Sequence, residues 1–253
     1  MQKTVFITGA SSGFGKAIAE KFASQHHRLI ITGRRKDRLE EVKTELNAAY
    51  GVEVLALCFD VRNRQACFDA VGSLEGDWRG IDILVNNAGL ALGRDPFDKA
   101  DLDDWDTMID TNVKGLAYIS IAIIPILIAK KRGHIINMGS IAGREVYQNG
   151  NGYCASKFAV EALSQSMRVD LVPYNIKVTG IHPGAAETEF SLVRFKGDEQ
   201  KANAMYEGYK PLTAVDIADT VYYVSNLPDH VCINDLVIMP TAQASSFYLH
   251  RQS

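Results

Sequence analysis

Seven short apolar runs recur along the chain and constrain its fold more than any other feature: TVFIT (4–8), RLIIT (28–32), VEVLALCFD (52–60), IDILVNN (81–87), GHIINMGS (133–140), IKVTGI (176–181) and DLVIMP (235–240). Their apolar residues fall on nearly consecutive positions, which is the pattern of strands buried on both faces beneath crossover helices. Helical patterns lie between them. In RRKDRLEEVKTEL the residues Leu39, Val42 and Leu46 stand at i, i+3 and i+7 with the charges on the other face, and Val160, Leu163, Met167 and Leu171 repeat the stripe. No linker, repeat or low-complexity tract interrupts the alternation. The chain, residues 1–253, is therefore expected to be one α/β domain: a Rossmann-type, doubly wound, parallel seven-stranded sheet.

Charge and cysteine usage narrow the function. With 27 Lys+Arg against 30 Asp+Glu the chain has no cationic excess for a nucleic-acid backbone, so any phosphate affinity must be local. Cys58, Cys67, Cys154 and Cys232 show no C-x-x-C and no histidine at ligand spacing, which argues against structural zinc and a disulfide framework. His26, His27, His134, His182 and His230 likewise form no ligand motif; they are read as turn, loop or surface residues, and no metal is expected. The start of the chain reaches a glycine loop before a signal core could form, which points to the cytoplasm. The apolar run from Gly115 to Ala129 is shorter than the ~20 residues of a membrane span and contains Pro125, so a buried or subunit-interface helix is expected.

The first strand runs into Thr8-Gly9-Ala10-Ser11-Ser12-Gly13-Phe14-Gly15 and then into an apolar-periodic helix. Gly9 permits the sharp turn, Gly13 removes a Cβ that would block a pyrophosphate, and Gly15 allows the helix to pack close to the strand. Free N–H groups and a positive helix end would face the anion. After the second strand, where an acidic residue would meet a ribose hydroxyl, stand Arg34 and Arg35. A guanidinium fork suits a 2′-phosphate, so the expected cofactor is NADP.

Tyr153 and Lys157 lie four residues apart, about 40° and 6 Å on a helix, hence on one face. A lysine cation ~5 Å away would lower the phenol pKa by roughly two units and make Tyr153 a usable acid-base. Ser140 closes the fifth strand at the carboxyl edge of the sheet and could polarise a carbonyl. Asn112, in the helix before that strand, could hold a proton-carrying water through its amide. A second Y-x-x-x-K, Tyr206 to Lys210, contains Gly208 and precedes Pro211, so it should not present one face.

Through TGASSGFG, the NNAG of 86–89, Asn112, Ser140, Tyr153, Lys157 and the HPG of 182–184, the chain resembles the short-chain dehydrogenase/reductase family over essentially its whole length. The resemblance implies a catalytic tetrad of Asn112, Ser140, Tyr153 and Lys157. It places the cofactor against Gly9, Ser11, Ser12, Gly13, Phe14, Gly15, Arg34, Arg35, Asp60, Val61, Asn87, Ala88, Gly89, Pro183 and Gly184, with Lys157 on the nicotinamide ribose. It also implies homotetramers. Within the family, GRRKDRL, DVRNR, YCASKFAV and ETEFSLVRFKGD are most similar to NADP-dependent 3-hydroxy acid dehydrogenases of the serine/allo-threonine type. Ala185, Ala186 and Gln148 depart from the usual residues at positions expected to flank the substrate. Arg194, between Val193 and Phe195, is the expected partner of a substrate carboxylate, with Lys196 second. The implied activity interconverts the 3-hydroxyl of a small acid and its carbonyl; the alternatives are reduction of another small polar or uncharged carbonyl compound, or a non-catalytic NADP(H) sensor or scaffold.

Overall fold

All seven apolar runs become strands. In a computed structural model, which describes residues 2–252, they are β1 (Thr4–Ile7), β2 (Arg28–Gly33), β3 (Val54–Cys58), β4 (Ile81–Asn86), β5 (Gly133–Met138), β6 (Ile176–Pro183) and β7 (Asp235–Ile238). They pair in parallel in the order β3-β2-β1-β4-β5-β6-β7. Burial on both faces holds for the centre, where every residue of β1 is buried, and fails at the edges. Only Val54 is buried in β3 and nothing is in β7, because an edge strand has a neighbour on one side alone.

The helices are α1 (Gly13–Ser24), α2 (Lys36–Tyr50), α3 (Arg64–Gly72), α4 (Leu102–Ile109), α5 (Leu116–Lys130), α6 (Asn151–Leu171), α7 (Glu189–Arg194), α8 (Glu199–Ala204) and α9 (Ala214–Ser225). Ile18 and Phe22 of α1, the predicted stripe Leu39, Val42 and Leu46 of α2, and Ile217 and Val221 of α9 bury against one face of the sheet. On the other face lie Cys67 and Val71 of α3 and Ile119, Ile123 and Leu127 of α5. The chain crosses from one face to the other between β3 and β4, and the crevice between the carboxyl ends of β1 and β4 is where such a sheet receives its ligand.

The apolar helix corrects the length argument made from the sequence. α4, a π-helical segment Asp110–Gly115 and α5 run on as one helix, Leu102–Lys130, of 29 residues, which meets the length and composition of a membrane span. Length does not decide its role; its position does. It is the crossover between β4 and β5, and Ile119, Ile123 and Leu127 are fully buried against the sheet. Pro125 sits on its exposed side, so the Ile121 carbonyl that loses a helical donor can turn to water.

The close approach of α1 to β1 depends on Gly15. A Cβ there would lie 2.2 Å from the Gly9 carbonyl oxygen and 2.6 Å from Asn87 Nδ2. Gly15→Ala is expected to destabilise the protein by about 1–3 kcal/mol in urea unfolding. Gly72→Ala, at an exposed helix end with nothing within 4 Å of the added methyl, should be neutral or stabilising by up to about 1 kcal/mol.

Candidate active site

The turn after β1 forms the floor of the crevice. Gly9 and Gly13 adopt φ of +68° and +54°, and Ser12 precedes α1 without capping it, leaving the first helical N–H groups directed to the opening. The Ser11 and Ser12 hydroxyls accept instead from Arg35, Nη2 at 3.1 and 2.7 Å. Arg35 also pairs with Glu189 at 3.2 Å, and Arg38 meets the other carboxylate oxygen at 2.8 Å. Arg34 has a looser partner in Asp60, at 3.9 Å.

One cavity of about 470 Å³ runs from these arginines across the sheet edge to Tyr153. Every residue expected to touch cofactor or substrate lines it except Gly15 and Asn112. Gly15 packs beneath the turn, and Asn112 lies behind Gly89, whose added Cβ would be 3.2 Å from its Oδ1. The protein takes up both N–H groups of the Asn112 amide. Its Nδ2 donates to the Leu90 carbonyl at 2.8 Å and to Ser156 Oγ at 3.0 Å, while Oδ1 accepts from the Leu90 N–H at 2.9 Å. Asn112 therefore tethers the segment after β4 to α6, and the π-helical turn that carries it supplies the orientation.

Tyr153 and Lys157 share a face of α6 as predicted, with Nζ 5.9 Å from the phenol ring centroid. Lys157 donates to the Met138 carbonyl at 2.8 Å, fixing it to the end of β5 beside Ser140. The expected lowering of the Tyr153 pKa is overturned. Burial raises it well above 10, with Tyr147 adding to the rise and the Ser140 hydroxyl and Arg194 opposing it. Burial also lowers Lys157, to about 8. The site thus holds a protonated phenol beside an amine close to its titration point.

Arg194 ends α7, and it is 7% exposed. Its Nη2 donates to the Tyr147 hydroxyl at 3.0 Å and its Nε to the Gly93 carbonyl at 3.4 Å, and the guanidinium carbon lies 5.6 Å from the ring centres of both Tyr147 and Tyr153. No ion-pair partner for it exists among the described residues. Lys196 is elsewhere, exposed and paired with Asp104 at 2.9 Å. The second tyrosine–lysine pair does not share a face: Lys210 is exposed, whereas Tyr206 lines the cavity and donates to the Ala186 carbonyl at 2.9 Å.

A model of the family described as short chain dehydrogenase matches residues 3–198. The chain belongs to the short-chain dehydrogenase family. It is 48% identical to the NADP-dependent 3-hydroxy acid dehydrogenase YdfG of Salmonella typhi over 98% of this chain and 99% of that one. It is 42% identical to the serine 3-dehydrogenase of Agrobacterium fabrum over the full length of both. Among solved structures, the closed form of a serine dehydrogenase complexed with NADP+ superposes with a TM-score of 0.91 at 47% identity, over 98% of this chain and 100% of that one.

Several features of this short-chain dehydrogenase lay outside the sequence reading. Of the unusual residues, Ala185 and Ala186 line the cavity, but Gln148 is exposed and does not. Tyr147, Phe190, Tyr206 and Arg94 line it unannounced. Only Arg94 offered a signal, because it follows the NNAG turn at the carboxyl edge of β4. His27, His134 and His182 are buried, against the surface or loop placement expected of them, while His26 and His230 are exposed. Burial lowers the His134 pKa to about 3, so it is a neutral ring bonded to Thr179 Oγ1 at 2.7 Å. His182 converges with Glu161 and Asp235, whose ligand atoms lie within 4.8 Å of one another. The Arg144 guanidinium stands among them, 3.1 Å from Asp235 and 3.4 Å from Glu161, and supplies the positive charge.

The lowered Lys157 pKa has a sign that can be checked in folding. Between about pH 8 and 10.5 the unfolded chain binds a proton at Lys157 that the native protein does not, so the unfolding free energy of the parent should rise with pH relative to Lys157→Met. Below that window both states are protonated and the difference should be flat. Chemical denaturation at stepped pH reads it, and a flat difference throughout would show that Lys157 titrates as an ordinary lysine.

Proposed function

We propose that this protein is an NADP(H)-dependent oxidoreductase that interconverts the 3-hydroxyl of a small hydroxy acid and its carbonyl. The observation that carries the substrate class is Arg194. A buried guanidinium with no carboxylate partner is costly, and it sits where a substrate held by Tyr153 would place an anion. The names of the relatives agree with that reading.

The residues present fit an NADP molecule. Gly13 bears no Cβ over the turn, the α1 N–H groups are uncapped, and no acidic residue follows β2, where Arg34 and Arg35 stand instead. When bound, the dinucleotide supplies or receives the hydride at its nicotinamide. The protein's part is to hold and move the proton. Ser140 and Tyr153 bind the substrate oxygen, and the protonated phenol is the acid in reduction. Lys157 orders the ribose and Tyr153, with Asn112 holding the backbone behind them.

Exposed apolar side chains on α5 and α6, Ile121, Phe158 and Val169 among them, support assembly into a homotetramer. The four unpaired cysteines support a cytoplasmic location. Neither nucleic acid nor a membrane is a proposed partner.

Two experiments test the reading. Replacing Arg34 and Arg35 together by Asp should reduce the preference for NADP over NAD by at least about a hundredfold, as expected for the loss of charge-assisted hydrogen bonds of ~1.5–3 kcal/mol each. An unchanged ratio would return both arginines to the solvated face of α2. Arg194→Met should cost about 1.5–3 kcal/mol in kcat/KM for a 3-hydroxy acid, mainly through KM, and little for an uncharged alcohol of similar size. Equal effects on acid and alcohol would favour a general carbonyl reductase.

A further inference from the structure

The substrate end of the cavity carries a second guanidinium. Arg94 follows the segment after β4 by way of Gly93, and Gly93 is joined to the Arg194 residue in both directions: its N–H donates to the Arg194 carbonyl at 3.0 Å and its carbonyl accepts from Arg194 Nε at 3.4 Å. The two arginines share Tyr147, with guanidinium carbons 5.9 and 5.6 Å from its ring centre. Arg94 Nη1 points at Met205 Sδ, 3.2 Å away, and the side chain is exposed at the cavity wall. Neither arginine is ion-paired among the described residues.

The acidic residues of the cavity lie elsewhere. Asp60 and Glu189 alone line it, and both are at the Arg34 and Arg35 end, where Arg62 binds Asp60 at 2.7 Å and Arg38 binds Glu189 at 2.8 Å. A substrate held at Tyr153 therefore meets two positive charges and no negative one. One carboxylate would neutralise Arg194 and leave Arg94 facing the same space.

We propose that Arg94 is a second anion site and that the substrate of this enzyme is a 3-hydroxy dicarboxylic acid, one carboxylate on Arg194 and the other on Arg94. The proposal rests on the hydroxy acid reading above and specifies it. In oxidation the C3–H bond breaks and its electron pair leaves as hydride to NADP+. The hydroxyl proton moves onto Tyr153 Oη as the phenol releases its own proton toward solvent, so Tyr153 is protonated before and after, giving the 3-oxo dicarboxylate, NADPH and a proton. Because Arg94 is exposed and Arg194 is not, the second carboxylate adds selectivity to an anchor the first already provides.

Three unreactive five-carbon acids test this by titration calorimetry on the protein saturated with NADP+: valerate, glutarate and 5-aminovalerate, which present a methyl, a carboxylate and an ammonium at the far end. Glutarate should bind about fivefold tighter than valerate, and 5-aminovalerate weaker than valerate. Arg94→Gln should bring the glutarate to valerate ratio close to one, and Arg94→Lys should retain most of it. In turnover, 3-hydroxyglutarate should be favoured over 3-hydroxybutyrate by a similar factor that Arg94→Gln removes, whereas Arg194→Met should depress both substrates together. If valerate binds and glutarate gains nothing, or if Arg94→Gln leaves the ratio intact, the second anion site is refuted while the hydroxy acid reading stands. If neither acid binds and neither hydroxy acid turns over, that reading falls and takes this one with it.

Discussion

The site depends on a short set of hydrogen bonds across the gap between β1 and β4. Thr8 Oγ1 accepts from the N–H groups of Asn87 and Ala88 at 3.0 and 2.9 Å, and Asn87 Nδ2 returns the contact to the Thr8 and Gly9 carbonyls at 2.9 and 3.1 Å. At this point the strand order reverses and the two following chains diverge, one into α1 and the other toward Leu90. Without the clamp, neither divergence would have a fixed origin. The Gly9 turn would not be set against β4, and Asn112, which holds Leu90 from behind, would have no defined segment to hold. One threonine and one asparagine thereby register the glycine turn against the residues around Tyr153.

Desolvation then sets the chemistry. Lys157, Tyr153 and Arg194 are each less than a tenth exposed, and burial opposes the charged form of each ionisable group there. For Tyr153 the outcome is a phenol that keeps its proton, and for Lys157 an amine near its titration point. Arginine cannot follow them, because its guanidinium does not lose its proton at any working pH. Arg194 remains a fixed, buried charge beside the reacting position, and Tyr147 offers only a hydroxyl and a ring face in compensation. Behind Lys157 the opposite arrangement holds. Glu161, one turn further along α6, and Asp235 lie against His182 and the Arg144 guanidinium, and Arg168 reaches Asp235 at 3.4 Å, so that two guanidinium groups face two carboxylates. His182 is wedged so closely that a Cβ on Gly139 would come within 2.4 Å of its Nδ1, which leaves Ser140 and its neighbours little room to shift.

Seven strands, their parallel sense and the helical stripes were legible because each is written in local periodicity. The glycine turn and the face shared by Tyr153 and Lys157 were legible for the same reason: they are fixed by spacing along a single element. What the sequence concealed depends on enclosure. A lysine four residues from a tyrosine looks like a charge that lowers a pKa; in the fold both are buried, and burial outweighs their mutual effect. Asn112 looks like a free amide until Leu90 and Ser156 take up both its N–H groups. The apolar run at 115–129 ends at a lysine but begins inside a longer helix, since Asp110 to Gly115 continue α4 in π geometry without breaking it. His182 and His134 carry no metal-ligand motif, and only the tertiary structure shows that they are interior.

The six residues of α7 bring these strands of argument to one place. A helix this short has too few internal hydrogen bonds to hold itself, so its order must come from what its side chains touch. Thr188 caps it through the Phe190 N–H at 3.2 Å, and its methyl group would lie 3.8 Å from a Cβ at Gly13, so the helix begins directly over the glycine turn. Phe190 and Arg194 are four residues apart and therefore share a face, and that face meets Tyr153, through an edge contact at 5.6 Å in the first case and the guanidinium in the second. Glu189 is rotated about 100° from Phe190, which directs its carboxylate to Arg35 and Arg38 instead. These six residues are thus held at Arg35 and Arg38 through Glu189, at Tyr153 through Phe190, and at Tyr147 through Arg194. An anion arriving at Arg35 would compete with Glu189 for the same guanidinium, at the end of α7 opposite Arg194.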